Sequence, residues 1–291
     1  MVKSMNLSMD QKRGLRLVSV PFAYALLLLA VPLGAIVLFS FWTQDFMTVD
    51  TTFTTANYRE IWDSPIYSLL LRRSLMVSGI VTAVTVVLAY PVAYFISFHV
   101  HPSKKSLWLF LITIPFWTSY LIRVFLWKVI LGYNGVINSG LLELGIIQEP
   151  LTFILYNVNA VIITLAHAFA PFAILPIFVV LEKIDRSLLE ASQDLGENRW
   201  TTFFRVTLPL SMPGVVGAVL IVFIPTIGDY VTPELMGGAG GKLIANMIQA
   251  QFLQLHNAPF GAALAIVAMV CVTAIALGFV FLNRRWLRGR R

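Results

Sequence analysis

The sequence predicts an all-α, polytopic membrane protein with six transmembrane helices and a surface helical element between the fourth and fifth. Three observations carry that prediction. Apolar residues make up 58% of the 291 residues and charged residues only 12%, against roughly 25% charged in soluble domains. Charge-free apolar runs recur at about the 20-residue length that a helix needs to cross hydrocarbon. Between them lie short connections that alternate in charge. The net charge of +7 therefore reflects sidedness in a lipid bilayer, not binding of nucleic acid.

Taken in order, residues 1–16 form a basic tail with Lys3, Lys12, Arg13 and Arg16. The run 17–44 that follows is too long for a signal-peptide core and has no small-residue cleavage site, so it reads as a retained first span. The six spans fall at about 17–41, 74–98, 107–131, 156–181, 212–235 and 259–282, within a membrane domain of 17–282. In the first connection, 56–62 is a candidate surface helix. The second carries Lys104 and Lys105, the third Glu143 and Glu149, and the fifth is glycine-rich and then amphipathic. A basic tail, 283–291, closes the chain. Cys271 is the single cysteine and lies in an apolar run, so no intrachain disulfide is expected.

Orientation follows from the Lys and Arg residues flanking the spans. Most of the 21 lie on the side holding both tails, the second connection and the fourth. Both termini are thus expected in the cytoplasm, with Arg59, Arg72, Arg73 and Lys242 outside.

The fourth connection is the most informative stretch. Within 186–209, the string EASQDLGENRWTTFFRVTLP reads as two short amphipathic helices joined at Gly196. Their apolar surface exceeds what a solvated loop needs. The alternative is an amphipathic helix lying on lipid headgroups. The string resembles the EAA motif of bacterial ABC import permeases: EAA, three residues, Gly, nine residues, Ile, one residue, Leu-Pro. Glu190, Ala191, Gly196, Leu208 and Pro209 match at those spacings, while Ser192 and Val206 are mild departures. The resemblance implies a type I importer permease whose 186–209 element couples to a separate ATPase. Glu190 would orient the two helices by hydrogen bonding, and Gly196 would supply the turn. Trp200, Phe203 and Phe204 would anchor on the ATPase or on neighbouring helices.

The chemistry-bearing residues point the same way. GGAGGK at 237–242 departs from the phosphate-loop pattern at Met236 and Leu243, so it reads as a connection. No cofactor or metal is expected on this chain. His167 is a packed or cavity-facing histidine. Charges inside spans are costly and face the protein interior or a wet path. Asp229 follows Pro225 and Gly228, which interrupt the fifth span, and Glu234 lies near the outer mouth. Arg123 in the third span is expected at the same depth as Asp229. The pair is either a structural ion pair, or Asp229 and Glu234 offer carboxylates to a cationic solute. Nearby Trp117, Tyr120 and Tyr230 either pack or line that path, where aromatic faces attract amines.

A second resemblance covers most of the chain. FIPTIGDYVTPELMGG at 223–238, QFLQLHNAPFGAALA at 251–265 and PFWTSYLIRVFLWKVILGYNGVIN at 115–138 are similar to permeases of spermidine/putrescine importers. Related permeases for opines, other amino compounds, ferric iron or thiosulfate share parts of these strings. The resemblance implies a bacterial inner-membrane complex of this permease with a second one, a dimer of ATPase subunits holding ATP and Mg, and a periplasmic solute-binding protein. A membrane-embedded enzyme or assembly protein is the alternative class, and no paired acid/base or metal cluster in the sequence supports it.

Overall fold

The computed structural model describes residues 9–46, 48–238 and 240–287. The tail residues 1–8 and 288–291, including Lys3, Arg288, Arg290 and Arg291, lie outside the described residues. Helix α1 (Met9–Ser40) begins inside the expected basic tail. A two-stranded antiparallel ribbon, β1 (Thr43–Asp45) and β2 (Thr48–Asp50), pairs Thr43 with Asp50 and leads to α2 (Ala56–Asp63). Then come α3 (Pro65–Phe98), α4 (Pro102–Thr113), α5 (Tyr120–Ile130), α6 (Val136–Glu143) and α7 (Val158–Leu181). The 186–209 element contributes α8 (Arg186–Asp194) and α9 (Arg199–Thr202). The remainder is α10 (Leu208–Ile227), α11 (Val231–Met236), α12 (Ile244–Leu253), α13 (Ala258–Leu282) and α14 (Arg284–Leu287).

The core is a three-helix contact of α3, α7 and α10. Val77, Val81 and Ala89 of α3 meet Leu165, Ala173 and Ile177 of α7 and Ala218 and Val222 of α10. A second cluster joins Ile61 of α2, Leu70 of α3, Phe223 and Ile227 of α10, Ile244 of α12, and Phe260 and Leu264 of α13. Helix α1 stands apart. It packs on α13, and none of the residues in its most apolar stretch is buried. At its end the Ser40 carbonyl accepts from Asn57 Nδ2 and the Ser40 hydroxyl from Tyr58, which ties α1 to α2.

Two expected spans differ from what folds. The second is longer: α3 has 34 residues, about 51 Å of helix, so its first turns project beyond the hydrocarbon and carry Arg72 and Arg73. The third is broken. Helix α4 ends in a tight turn over Ile114–Trp117, and α5 leaves it at 90°. Pro115 has no N–H to continue the α-helical ladder, and Thr118 and Ser119 adopt extended ψ of 149° and 137°. Depth counted along a straight helix from residue 107 to Arg123 therefore does not hold. The fifth span also ends early, at Ile227 rather than 235, with α11 a separate short helix.

Close approach of α7 and α10 rests on Gly214. A Cβ there would meet the Pro176 carbonyl oxygen at 2.7 Å and Val180 Cβ at 3.0 Å. We expect Gly214→Val to destabilise the bundle by about 1–3 kcal/mol through overpacking, measured as a lowered Tm in detergent. Gly217→Ala, where a Cβ would meet its nearest neighbour only at 3.9 Å, should leave Tm nearly unchanged.

Candidate functional site

Residues that carry chemistry gather at the two ends of the α3–α7–α10 core. At one end lies the 186–209 element. Asp185 caps α8 by accepting from the Ser187 backbone N–H at 3.0 Å, and that bond holds its carboxyl below the usual range. Helix α8 ends in a Schellman arrangement, with Gly196 N–H donating to Gln193 O and Glu197 N–H to Ser192 O. Gly196 has φ of +87°, open to glycine without steric cost. Asn198 then caps α9, accepting from the Thr201 N–H at 2.9 Å. The chain continues into α10 through one wide turn over Phe203–Thr207, where Leu208 N–H donates to the Phe203 carbonyl. Pro209, next in line, has no N–H for the Arg205 carbonyl, which favours the wider turn.

The expected anchors sort into two groups. Phe203 points inward, its ring edge-on to Tyr90 at 5.6 Å and Tyr94 at 6.0 Å on α3. Leu208 packs on the same core, and Pro209 is half-buried. Trp200 and Phe204 point outward, 75% and 58% exposed, beside Leu195 at 85%. Ala191 and Glu190 are exposed as well. Glu190 does not bridge the helices: among the described residues its side chain has no hydrogen bond. Ser192 performs that task, 3.0 Å from the Thr202 hydroxyl. The hydroxyl that departs from the motif is the one that joins α8 to α9.

Behind the element lies a polar knot that sequence reasoning missed. Glu182, just past α7, accepts through Oε1 from Lys105 Nζ of α4 at 2.7 Å, Ser97 Oγ of α3 at 2.7 Å and Arg186 Nη2 of α8 at 3.3 Å. Lys105 and Arg186 also donate to the Ser97 carbonyl, at 2.8 and 3.0 Å. Burial alone would push the Glu182 carboxyl up. The bonds from Lys105 and Ser97, with the charges of Lys105 and Arg186, outweigh it and hold the carboxyl below its usual range. The available signal was that all three charges flank expected span ends.

At the far end, the two broken spans meet. Tyr120, the first residue of α5, donates its hydroxyl to Asp229 Oδ2 at 2.8 Å and lies 2.7 Å from Thr232 Oγ1. Asp229 also accepts from the Val231 and Thr232 backbone N–H groups, at 3.2 and 3.4 Å, closing the first turn of α11. Among the described residues Arg123 forms no ion pair with Asp229. Its guanidinium lies 5.5 Å from the Phe116 ring and 5.6 Å from the Tyr120 ring, with Nε and Nη1 buried and unpartnered. Arg123 and Asp229 are neighbours through Tyr120, not through a shared depth along straight helices. Glu234 accepts from Asn246 Nδ2 at 3.1 Å and sits 3.9 Å from Lys242 Nζ. Trp117 is 79% exposed at the break. Tyr230 turns elsewhere, into an apolar cavity of about 580 Å³ that Ile224, Ile248, Phe252 and Met269 also line between α10, α12 and α13. His167 is 3.1 Å from the Trp127 indole nitrogen, which donates to its Nδ1.

An all-helical bundle with helices of spanning length, an exposed apolar turn at one end and a carboxylate corner at the other has the form of a polytopic membrane subunit. The chain belongs to the family of inner membrane components of binding-protein-dependent transport systems, whose sequence pattern matches residues 7–288. It is 37% identical over 275 residues to the spermidine/putrescine transport system permease protein PotB of Haemophilus influenzae, covering 94% of each chain. With PotB of Escherichia coli K12 it shares 40% over 239 residues, 82% of this chain and 86% of that one. The inner membrane ABC transporter permease protein YdcU of Escherichia coli is 32% identical over 254 residues, 82% of this chain and 80% of that one. The fold is shared with a bacterial ABC transporter that imports the acidic polysaccharide alginate, at a TM-score of 0.73 and 19% identity, covering 95% of this chain and 97% of that one.

The Glu182 knot sets a pH dependence. Because the folded carboxyl titrates below its ordinary value of 4.5, the knot's contribution is complete above that value and is lost as pH falls through the lowered one. Hydrogen exchange of the α8 amides, corrected for intrinsic rate, should be flat from neutral pH down to 4.5 and accelerate only below it.

Proposed function

We propose that this chain is the permease subunit of an ATP-driven importer that moves spermidine, putrescine or similar organic cations into the bacterial cytoplasm. The single observation that carries the substrate class is the likeness to PotB over 94% of both chains. The geometry supports the machinery. The exposed face of Leu195, Trp200 and Phe204 is the docking surface for one subunit of an ATPase dimer that holds ATP and Mg, with Glu190 free on the same element. A second permease completes the pore, and a periplasmic solute-binding protein delivers the solute to the far end. Both termini and the 186–209 element face the cytoplasm.

In this mechanism ATP binding closes the ATPase pair and moves the 186–209 element. Phe203, seated against Tyr90 and Tyr94, and the continuous run into α10 carry the motion to the far end. There the break at Pro225–Gly228 lets α11 shift relative to α10. An ammonium arriving at Asp229 replaces the Tyr120 hydroxyl as the carboxylate's partner, and the adjacent ring adds cation–π attraction. Glu234, already beside Lys242, is the weaker of the two carboxylates for this task. ATP hydrolysis then resets the bundle.

Arg123 favours a second reading. Its buried, unpartnered N–H groups suit a solute that carries a carboxylate as well as an amine, such as an amino compound. In proteoliposomes holding the full complex, uptake of labelled putrescine should be suppressed by spermidine and untouched by sulfate-like anions. Suppression by amino acids or opines, but not by diamines, would move the assignment to that second class. Asp229→Asn should raise the KM for putrescine about tenfold, the order expected for one lost charge-assisted contact, with ATP hydrolysis retained. Gly196→Asp should abolish uptake while leaving the amount of inserted protein unchanged, since a side chain at φ of +87° is strained by about 1–2 kcal/mol. Normal uptake by that variant would remove the coupling role of the element.

A further inference from the structure

The knot at Glu182 has a chemistry that stability alone does not explain. A carboxylate immediately past a helix C-terminus faces the negative end of the helix dipole, where cations are the favourable residents. Glu182 occupies that position after α7, and the last turn of α3 presents the Ser97 carbonyl beside it. The arrangement holds only because two cations are drawn in between the two helix ends. Lys105, whose side chain is 16% exposed, and Arg186, whose guanidinium carbon lies 3.8 Å from the Phe98 ring centroid, are both held in place. One oxygen atom thereby receives donors from α3, α4 and α8, while belonging to the end of α7.

Helix α8 needs such a fastening. None of its residues is fully buried, and its half-buried Leu189 is the one apolar side chain of α8 set against the core cluster, so packing holds it only lightly. Beyond that contact and the stacking of Arg186 on Phe98, its polar side-chain attachments among the described residues are the Ser192–Thr202 hydroxyl pair to α9 and the donations of Arg186. The first ties α8 onward to α10. The second is its side-chain tie to α3 and α7, and through Glu182 to α4.

We propose that Glu182 is a positioning residue that fastens α8 to α3, α4 and α7, so that displacement of α8 moves these elements together with α10. The inference rests on the proposed role of the 186–209 element as the ATPase handle, and it adds a second route for the motion. Route one runs through α9 and the wide turn into α10. Route two runs through Glu182 into the other helices of the core and into α4, whose far end leads to the break before Tyr120. Without it the handle swings on α10 alone, and ATP is spent with little transport.

The test uses the complete complex in proteoliposomes and measures ATP hydrolysed per putrescine imported. Glu182→Gln keeps the shape and removes the charge that gathers Lys105 and Arg186. Network substitutions of this kind change coupling by roughly 2- to 30-fold; the ratio should rise at least about fivefold, with hydrolysis and co-purified ATPase close to wild type. Lys105→Gln, which leaves the carboxylate and Arg186 in place, should raise the same ratio to a smaller degree and guards against a folding defect of the first variant. Glu182→Asp should recover part of the lost coupling. An unchanged ratio in both Gln variants overturns the proposal, as does a parallel fall of hydrolysis, uptake and ATPase co-purification. A wild-type complex with no ATP-driven uptake sinks the importer assignment itself, and this inference with it.

Discussion

Inside hydrocarbon a backbone N–H or C=O finds no water, so every interruption of a spanning helix must be repaired by the protein itself. The architecture follows from where those interruptions are allowed. Pro115 breaks the third span, Pro209 widens the entrance to the fifth, and Pro225 with Gly228 ends it early. Each break is repaired by named groups. The Thr118 hydroxyl and N–H both return to the Pro115 carbonyl, Leu208 N–H reaches the Phe203 carbonyl, and Asp229 accepts the N–H groups that open α11. The repaired places are also where the chemistry-bearing side chains gather. A straight six-helix bundle would have satisfied its backbone without them, and would have offered neither the exposed apolar turn after α8 nor a carboxylate corner.

The two ends solve the same problem with different materials. Near α8 the orphan carbonyl at the end of α3 is met by lysine and arginine, and a glutamate gathers them. At the far end a tyrosine hydroxyl serves the aspartate, and the nearby arginine is left to aromatic faces. The contrast fits surroundings of different wetness: a charge cluster is cheaper where solvent reaches it, and a neutral hydroxyl costs less to bury beside a carboxylate.

Much of this was legible in the chain. Six apolar runs gave five helices of spanning length plus one bent pair, and the turn at Gly196 could be read from its position between two amphipathic stretches. The surface helix at 56–62 forms as α2. Two kinds of feature were not readable. Hydropathy cannot see a right-angle bend, because the residues on both sides of Pro115 are equally apolar; the proline was the signal, and its consequence depends on which partners wait nearby. Nor does the sequence reveal long-range polar partners. Residues 97, 105, 182 and 186 meet only after four helices have come together, and Tyr120 finds Asp229 only because both of their spans are broken. Glu190, named for bridging two helices, is exposed, while Ser192 does the bridging because its hydroxyl faces Thr202.

Helix α1 leaves a different mark. With no buried residue in its apolar stretch and α13 as its principal neighbour, beyond the polar tie to α2 at its end, it leaves most of its circumference open to acyl chains. A surface wetted by lipid tails asks only for sufficient hydrophobicity and length, not for particular shapes. Its side chains can therefore be exchanged among leucine, valine, isoleucine and phenylalanine at little cost, and bilayer thickness will press on this helix more directly than on any of the interlocked helices it accompanies.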